Sequence, residues 1–238
     1  QRKGDAFNVK VPSFRSTKDI TMKADIIEEI TRIYGYDNFA VNTAKAPLYP
    51  VRPFIEKAVE DKIKDLLVKR FSMHELHSYI WAYYDDYKKL GIEVEENVKI
   101  TGATNPGIET VRRSIVPTQL CQVRSNTQYA PSFGIFEIGR TVEGLKADGL
   151  CNEKKKLSVT LFDKSGDTAA LYMKLVNILA VMADEIKHEE VTYEPKNADH
   201  GYVHPKNYNA VLCAGKELGV IGVVHPTVMK KIDKKGTA

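Results

Sequence analysis

Asp19-Ile-Thr-Met-Lys-Ala-Asp-Ile-Ile-Glu-Glu29 runs without a break into Ile30-Thr-Arg-Ile-Tyr-Gly-Tyr-Asp-Asn38. A helix over Met22 to Tyr34 puts Asp25, Glu28 and Glu29 three and four positions apart on one face, with Ile26, Ile30 and Ile33 on another. Apolar burial and acidic chemistry are then assigned to separate sides of one element. Asp19 precedes the helix, within reach of its first turn as a cap or of the three carboxylates around a cation. Four oxygen donors without His or Cys suit magnesium or calcium rather than zinc. The alternative is a solvated face, its early acids favoured by the helix dipole and Glu28 and Glu29 paired with Arg32.

Phe7 to Val11 reads as a strand and Pro12 as a turn, so a first unit closes near Asn38. Below about 40 residues a chain seldom supports its own core, and Gln1 stands where an initiator methionine would, so an excised fragment is expected. Pro47, Pro50 and Pro53 predict an extended connector over Phe39 to Pro53. Pro53 suits the first turn of a long helix in which Ile55, Val59, Ile63, Leu66 and Leu67 recur through Phe71. Strands are predicted at Leu76 to Trp81, Val98 to Thr101, Phe133 to Ile138, Leu157 to Phe162, Val191 to Tyr193, Ala210 to Cys213 and Leu218 to Val224. Helices are predicted at Pro117 to Arg124 and Ala169 to Ile186, the second with a buried stripe of Leu171, Leu175, Ile178, Leu179 and Met182. Short turns such as Gly215-Lys216-Glu217 imply hairpins, a mainly antiparallel sheet and an α+β class.

Composition narrows the function classes. The 238 residues, 43% hydrophobic, suffice for one substantial core and a small second unit. Lys174 and Asn177 interrupt the longest apolar tract, Leu171 to Met182, so no membrane span is expected. Cys121, Cys151 and Cys213 are odd in number and far apart, which fits reduced thiols and a cytoplasmic protein. A net charge of +4 from 35 basic and 31 acidic residues does not by itself mark a nucleic-acid protein. Lys154-Lys-Lys156 and Lys230-Lys231 with Lys234-Lys235 are basic runs that solvation explains, although an exposed run would meet RNA phosphates with strong salt dependence. No Gly-rich phosphate loop occurs. His74 with His77 and His200 with His204 lack the companions of a zinc site, and Ser114 lacks a nucleophile elbow. Tyr79, Trp81, Tyr83, Tyr84 and Tyr87 fit a core or a subunit contact, with Arg112 and Arg113 as anchors.

Val11-Pro-Ser-Phe-Arg-Ser-Thr-Lys-Asp-Ile-Thr-Met-Lys-Ala-Asp-Ile-Ile-Glu-Glu-Ile-Thr-Arg-Ile-Tyr-Gly-Tyr-Asp-Asn38 closely resembles a segment of the bacterial phenylalanyl-tRNA synthetase beta subunit family. Asn105-Pro106, Arg113-Ser-Ile-Val-Pro-Thr-Gln-Leu120, Phe136-Glu-Ile-Gly-Arg140 and Gly219-Val-Ile-Gly-Val-Val-His-Pro226 extend the likeness across most of the chain. The resemblance implies the end of a small helical module at residues 1–38, a linker at 39–52 and a class II aminoacyl-tRNA synthetase-like core at 53–238. It assigns Asp19, Asp25, Glu28 and Glu29 to a magnesium ion shared with an alpha subunit. It further implies an alpha2beta2 heterotetramer that attaches phenylalanine to tRNA(Phe) using ATP, this part being structural and no membrane being involved.

Departures from the class II pattern agree with a non-catalytic role. No arginine follows Arg140, whereas an activating site needs a guanidinium at the nucleotide. Glu137 precedes Arg140, the reverse of the order expected in an active motif, so both are expected to be structural or interface partners. The competing reading is a stand-alone tRNA-binding module or enzyme on the same scaffold.

Overall fold

The chain divides at Arg52 and Pro53 into two units, Gln1–Arg52 and Pro53–Ala238, in the computed structural model, which describes residues 2–93, 96–105 and 107–238. Pro106, part of the likeness noted above, lies outside the described residues.

In the first unit, β1 (Arg2–Lys3) pairs antiparallel with β2 (Ala6–Phe7). The strand expected over Phe7 to Val11 ends at Phe7, because no further strand offers it a ladder. Pro12 then opens a single helical turn, α1 (Ser13–Ser16), as its N-cap. The acidic helix α2 spans Lys23–Tyr34 and is followed by a 3₁₀ turn at Tyr36–Asn38. It ends where Gly35 takes φ 93° and donates its N–H to the Thr31 carbonyl at 2.9 Å, a conformation that costs glycine little.

The apolar face of α2 departs from expectation. Ile30 and Ile33 are 65% and 84% exposed, and Ile26 is half-buried. Ile20, just before the helix, is the buried residue of this unit among those described. One helix beside a two-residue hairpin has too little surface to cover an apolar stripe, and residues 40–52 add no regular element.

The second unit is built on alternation within one strand pair. Its elements are α3 (Ile55–Lys69), β3 (His74–Glu75), α4 (Tyr84–Leu90), α5 (Val116–Asn126), β4 (Ser132–Leu145), β5 (Cys151–Asp163), α6 (Thr168–Lys187), β6 (Val191–Pro195), β7 (Val203–Cys213), β8 (Lys216–Val224) and α7 (Pro226–Ile232). β4 and β5 pair antiparallel, Phe133 opposite Phe162 and Phe136 opposite Val159. Successive side chains leave a strand on opposite faces. Ile135 and Phe162 therefore join Leu120, Val123, Tyr87, Leu90, Val228 and Ile232 in one core, under α4, α5 and α7. Phe136 and Leu161 join Leu67, Met73, Leu171, Ile178 and Met182 in a second, under α3 and α6.

Two sheets result, β3-β4-β5 and β6-β7-β8. All pairings in them are antiparallel except that of β3 with β4, which is parallel. The class is α+β. The strand predicted over Leu76 to Trp81 is replaced by a short ladder: Leu76 N–H still reaches the Phe136 carbonyl at 2.7 Å, then the chain leaves β4. Ser78 bonds to the Glu137 side chain instead, and Ala82 and Ile80 exchange hydrogen bonds with Thr110 and Arg112. Val98 to Thr101 keeps only a bridge between Lys99 and Thr110. The seven-residue helices α4 and α7 were not predicted, being too short to display a helical period. No helix among the described residues is long and apolar enough to cross a membrane.

Candidate metal and assembly site

α1 and the turn after it set the geometry around the acidic helix. The N–H groups of Asp19 and Ile20 both donate to the Arg15 carbonyl, at 3.1 and 2.9 Å, which holds Asp19 beside the Arg15 side chain. Arg15 Nε donates to Asp19 Oδ2 at 2.6 Å and Arg15 Nη2 to Glu29 Oε1 at 2.8 Å. Arg32 Nη2 completes the set with Glu29 Oε2 at 2.6 Å. Asp19 is thus a partner of Arg15 rather than the cap of α2. The N-cap is Met22, and Asp25 in the first turn reaches back to it: Asp25 Oδ2 accepts the N–H groups of Thr21 at 2.7 Å and Met22 at 2.9 Å. Of the pair expected to meet Arg32, Glu29 does so; Glu28 is exposed, with no hydrogen-bond or ion-pair partner among the described residues.

These contacts bias protonation. The Thr21 and Met22 amides hold the Asp25 carboxyl below its ordinary range, and the Arg15 guanidinium does the same for Glu29. Both folded values lie below the ordinary 3.8 and 4.5. The stability these contacts contribute is therefore fully present above those ordinary values and is lost as pH falls through the lower folded ones. In metal-free buffer the α2 helical signal should stay constant down to about pH 5 and decline below about pH 4. The Thr21 and Met22 amide resonances report the Asp25 step directly, and a midpoint above 3.8 would contradict the cap.

As a cation site the four carboxylates match magnesium in donor type but not in arrangement. Arg15 already neutralises Asp19 and Glu29, and one oxygen of Asp25 is committed to backbone amides. Among the described residues no three His, Cys, Asp or Glu side chains are gathered as metal ligands.

The second unit holds a buried polar centre. Arg112 and Glu137 are 3% and 1% exposed, and Arg112 Nη2 donates to Glu137 Oε1 at 2.7 Å. Arg112 Nη1 donates to Ser78 Oγ at 2.6 Å, which donates to Glu137 Oε2 at 2.7 Å, while Arg112 Nε reaches the Arg140 carbonyl at 3.1 Å. Gly139 makes room for this: a Cβ there would stand 2.5 Å from Arg112 Nη2 and 2.7 Å from Glu137 Oε1. Beside the pair, Gln119 accepts from Ser158 Oγ and Thr160 Oγ1 at 2.7 and 2.8 Å. Arg140 turns outward to Glu153. The cavity next to Arg112, lined by Tyr87, Ser114, Pro117 and Tyr202 among others, holds about 30 Å³. That suits a water or two, whereas small-molecule sites run to about 300 Å³ or more.

His200 stacks on Tyr202 at 4.9 Å and 8°, and His204 Nδ1 accepts the Lys206 N–H at 3.1 Å. A larger groove of about 510 Å³ lies between α3 and the β4-β5 pair, with Ile55, Val59, Ile63, Ile138 and Leu157 along it and Glu56, Glu60, Lys155 and Lys156 at its rim. No local sequence pattern marks this groove, since it forms only where the exposed side of α3 meets a distant hairpin.

The family described as phenylalanyl tRNA synthetase beta chain CLM domain matches residues 41–238, and that described as tRNA synthetase B5 domain matches residues 1–36. The chain belongs to the phenylalanyl-tRNA synthetase beta-chain family. Its relatives include the phenylalanine–tRNA ligase beta subunit of Leptospira borgpetersenii serovar Hardjo-bovis, 27% identical over 98% of this chain and 29% of that protein. The same subunit from Solibacter usitatus is 25% identical over 94% of this chain and 28% of its own length. That of Pyrococcus abyssi is 28% identical over 92% of this chain and 38% of its own length. The chain therefore spans roughly a third of the beta subunits it matches.

Proposed function

We propose that this chain is a structural, subunit-interacting part of a phenylalanine–tRNA ligase beta subunit. In this reading it pairs with an alpha subunit in an alpha2beta2 heterotetramer that attaches phenylalanine to tRNA(Phe) using ATP in the cytoplasm. The observation that carries it is the order of the two matches, a B5 domain followed by a CLM domain, over nearly the whole chain. Residues 1–38 are then the end of the B5 module, 39–52 a linker and 53–238 a class II-like core without catalytic duty. Burial of Arg112 against Glu137 supports that last point, since a guanidinium spent on an internal carboxylate is not available to a nucleotide phosphate.

The α3 groove and the exposed Ile30 and Ile33 support a chain that covers apolar surface on assembly. Asp19, Asp25, Glu28 and Glu29 are, on this reading, one half of a magnesium site that the alpha subunit completes. The all-oxygen donor set and the unengaged Glu28 support it. Alpha must then supply ligands and displace Arg15 from Asp19 and Glu29.

Calorimetric titration of the chain with alpha subunit is expected to give a stable complex, strengthened by magnesium, while the chain alone shows no phenylalanine-dependent pyrophosphate exchange. Asp25→Ala should reduce the magnesium effect several-fold, having removed an oxygen ligand. Exchange activity in the pure chain, or tRNA binding without alpha association, would replace this reading with the stand-alone one. An unchanged magnesium effect in Asp25→Ala would remove Asp25 from the site.

A further inference from the structure

The basic run near the C-terminus lies on a surface assembled from three helices. α4, α5 and α7 contact one another and turn Tyr87, Leu90, Leu120, Val123, Val228, Met229 and Ile232 into a common core. Their outward positions carry Lys88 and Lys89 on α4, Arg124 on α5, and Lys230 and Lys231 on α7, with Lys234 and Lys235 just beyond, all exposed. The groups adjoin: Lys231 Nζ lies over Gly91 at the end of α4, and Arg124 is close enough to Lys89 to oppose its charge.

Few carboxylates answer them. Asp86 pairs with Lys89 at 2.7 Å. Asp233 Oδ1 is taken up by the N–H groups of Lys235 and Gly236, both at 2.9 Å. With Asp85, three acids face seven cations, an excess equal to the net charge of the whole chain, +4. Among the described residues Lys88, Arg124, Lys230, Lys231, Lys234 and Lys235 have no ion-pair partner. The other basic run is different, because Lys155 and Lys156 are paired with Glu60 and Glu143.

We propose that the outer face of α4, α5 and α7 is a docking surface for the phosphodiester backbone of RNA. Seven cations across three elements suit an extended polyanion, whose repeated charges are neutralised one by one with release of counterions. Tyr129, 78% exposed just past α5 and five residues from Arg124, supplies a ring on which an unpaired base can stack. No large aliphatic side chain is exposed on these three helices among the described residues, so the face has nothing to insert into a lipid surface. This deepens the function proposed above, and rests on that reading for the choice of RNA over another polyanion.

The test is fluorescence anisotropy of the whole chain with a labelled single-stranded RNA of about 20 nucleotides, over a series of salt concentrations. Binding is expected with a slope of log K against log salt of about −4, from some six phosphate contacts. Lys230, Lys231, Lys234 and Lys235 all changed to Gln should weaken low-salt binding at least ~10-fold and flatten the slope by about 3. The same four changed to Arg should retain both. Tyr129→Ala should weaken binding about five-fold or more without altering the slope. The proposal is overturned if the wild-type chain leaves RNA unbound at low salt, if the Gln variant matches it, or if the Arg variant loses binding. Equal affinity for polyglutamate or for anionic phospholipid vesicles would overturn it too, and subunit association with alpha, measured separately, is unaffected by either result.

Discussion

Glu137→Ala is expected to lower the unfolding free energy of the Pro53–Ala238 unit by about 3–5 kcal/mol. Arg112 stays 3% exposed beside the truncated side chain, so the change strands a guanidinium away from water and removes the acceptor of Ser78 Oγ. A buried charge without its partner loses hydration and gains nothing in return. The double variant Arg112→Met/Glu137→Leu should recover most of the loss, because it removes both desolvation costs together. Urea unfolding checks this: the midpoint should fall sharply in the single variant and return in the double, with the slope unchanged. A single variant within about 0.5 kcal/mol of wild type would place Arg112 in contact with water. The pair is a costly device, and Gly139 is the residue that lets it pass between strand and loop.

Phe162→Ala should cost a similar amount, about 3–5 kcal/mol, by emptying a core position. Its ring is fully buried, lies 5.2 Å from Phe133, and is the surface against which Gly236 packs. The loss falls on the core under α4, α5 and α7, whereas Leu161→Ala on the preceding residue falls on the core under α3 and α6. Hydrogen exchange distinguishes them. Phe162→Ala should deprotect amides of α5 and α7 first and Leu161→Ala those of α6, since opening begins where packing is lost. The same pattern in both variants would deny that the β4-β5 pair separates two cores.

Much of this organisation is legible in the order of residues. The 3.6-residue period of Ile55, Val59, Ile63, Leu66 and Leu67 and that of the Leu171 to Met182 stripe both mark helices that formed, α3 and α6. The strands over Phe133 to Ile138 and Leu157 to Phe162 formed as well, and extended further into a long hairpin. Failures fell where pairing depended on remote partners. Leu76 to Trp81 alternates as a strand should, yet Glu137 and residues 110–112 draw it off the sheet. The Ile30 and Ile33 face has the spacing of a buried stripe but no surface in its unit to meet.

The candidate site divides in the same way. Asp19, Asp25, Glu28 and Glu29 stood out as oxygen donors of one kind at helical spacing, a property of residue type and order. The partners of Asp19, Asp25 and Glu29 are Arg15, fourteen residues from Glu29, together with Arg32 and the amides of the turn before α2. No local pattern announces that Arg15 will fold back on the helix, because a long side chain finds its carboxylates only after the backbone turn at residues 17–20 has formed.

The family, the α+β class, the main helices and strands, and the type of chemistry the acids and cations can offer are all carried by the order of residues. These follow from identity, order and short-range period, which a chain carries in any conformation. That Arg112 is consumed by Glu137, that Arg15 holds Asp19 and Glu29, and that lysines from α4 and α7 share a face with Arg124 is settled by packing in three dimensions. Such outcomes depend on which distant groups meet once apolar burial has chosen the packing, and on which charges are left without a partner when it is complete.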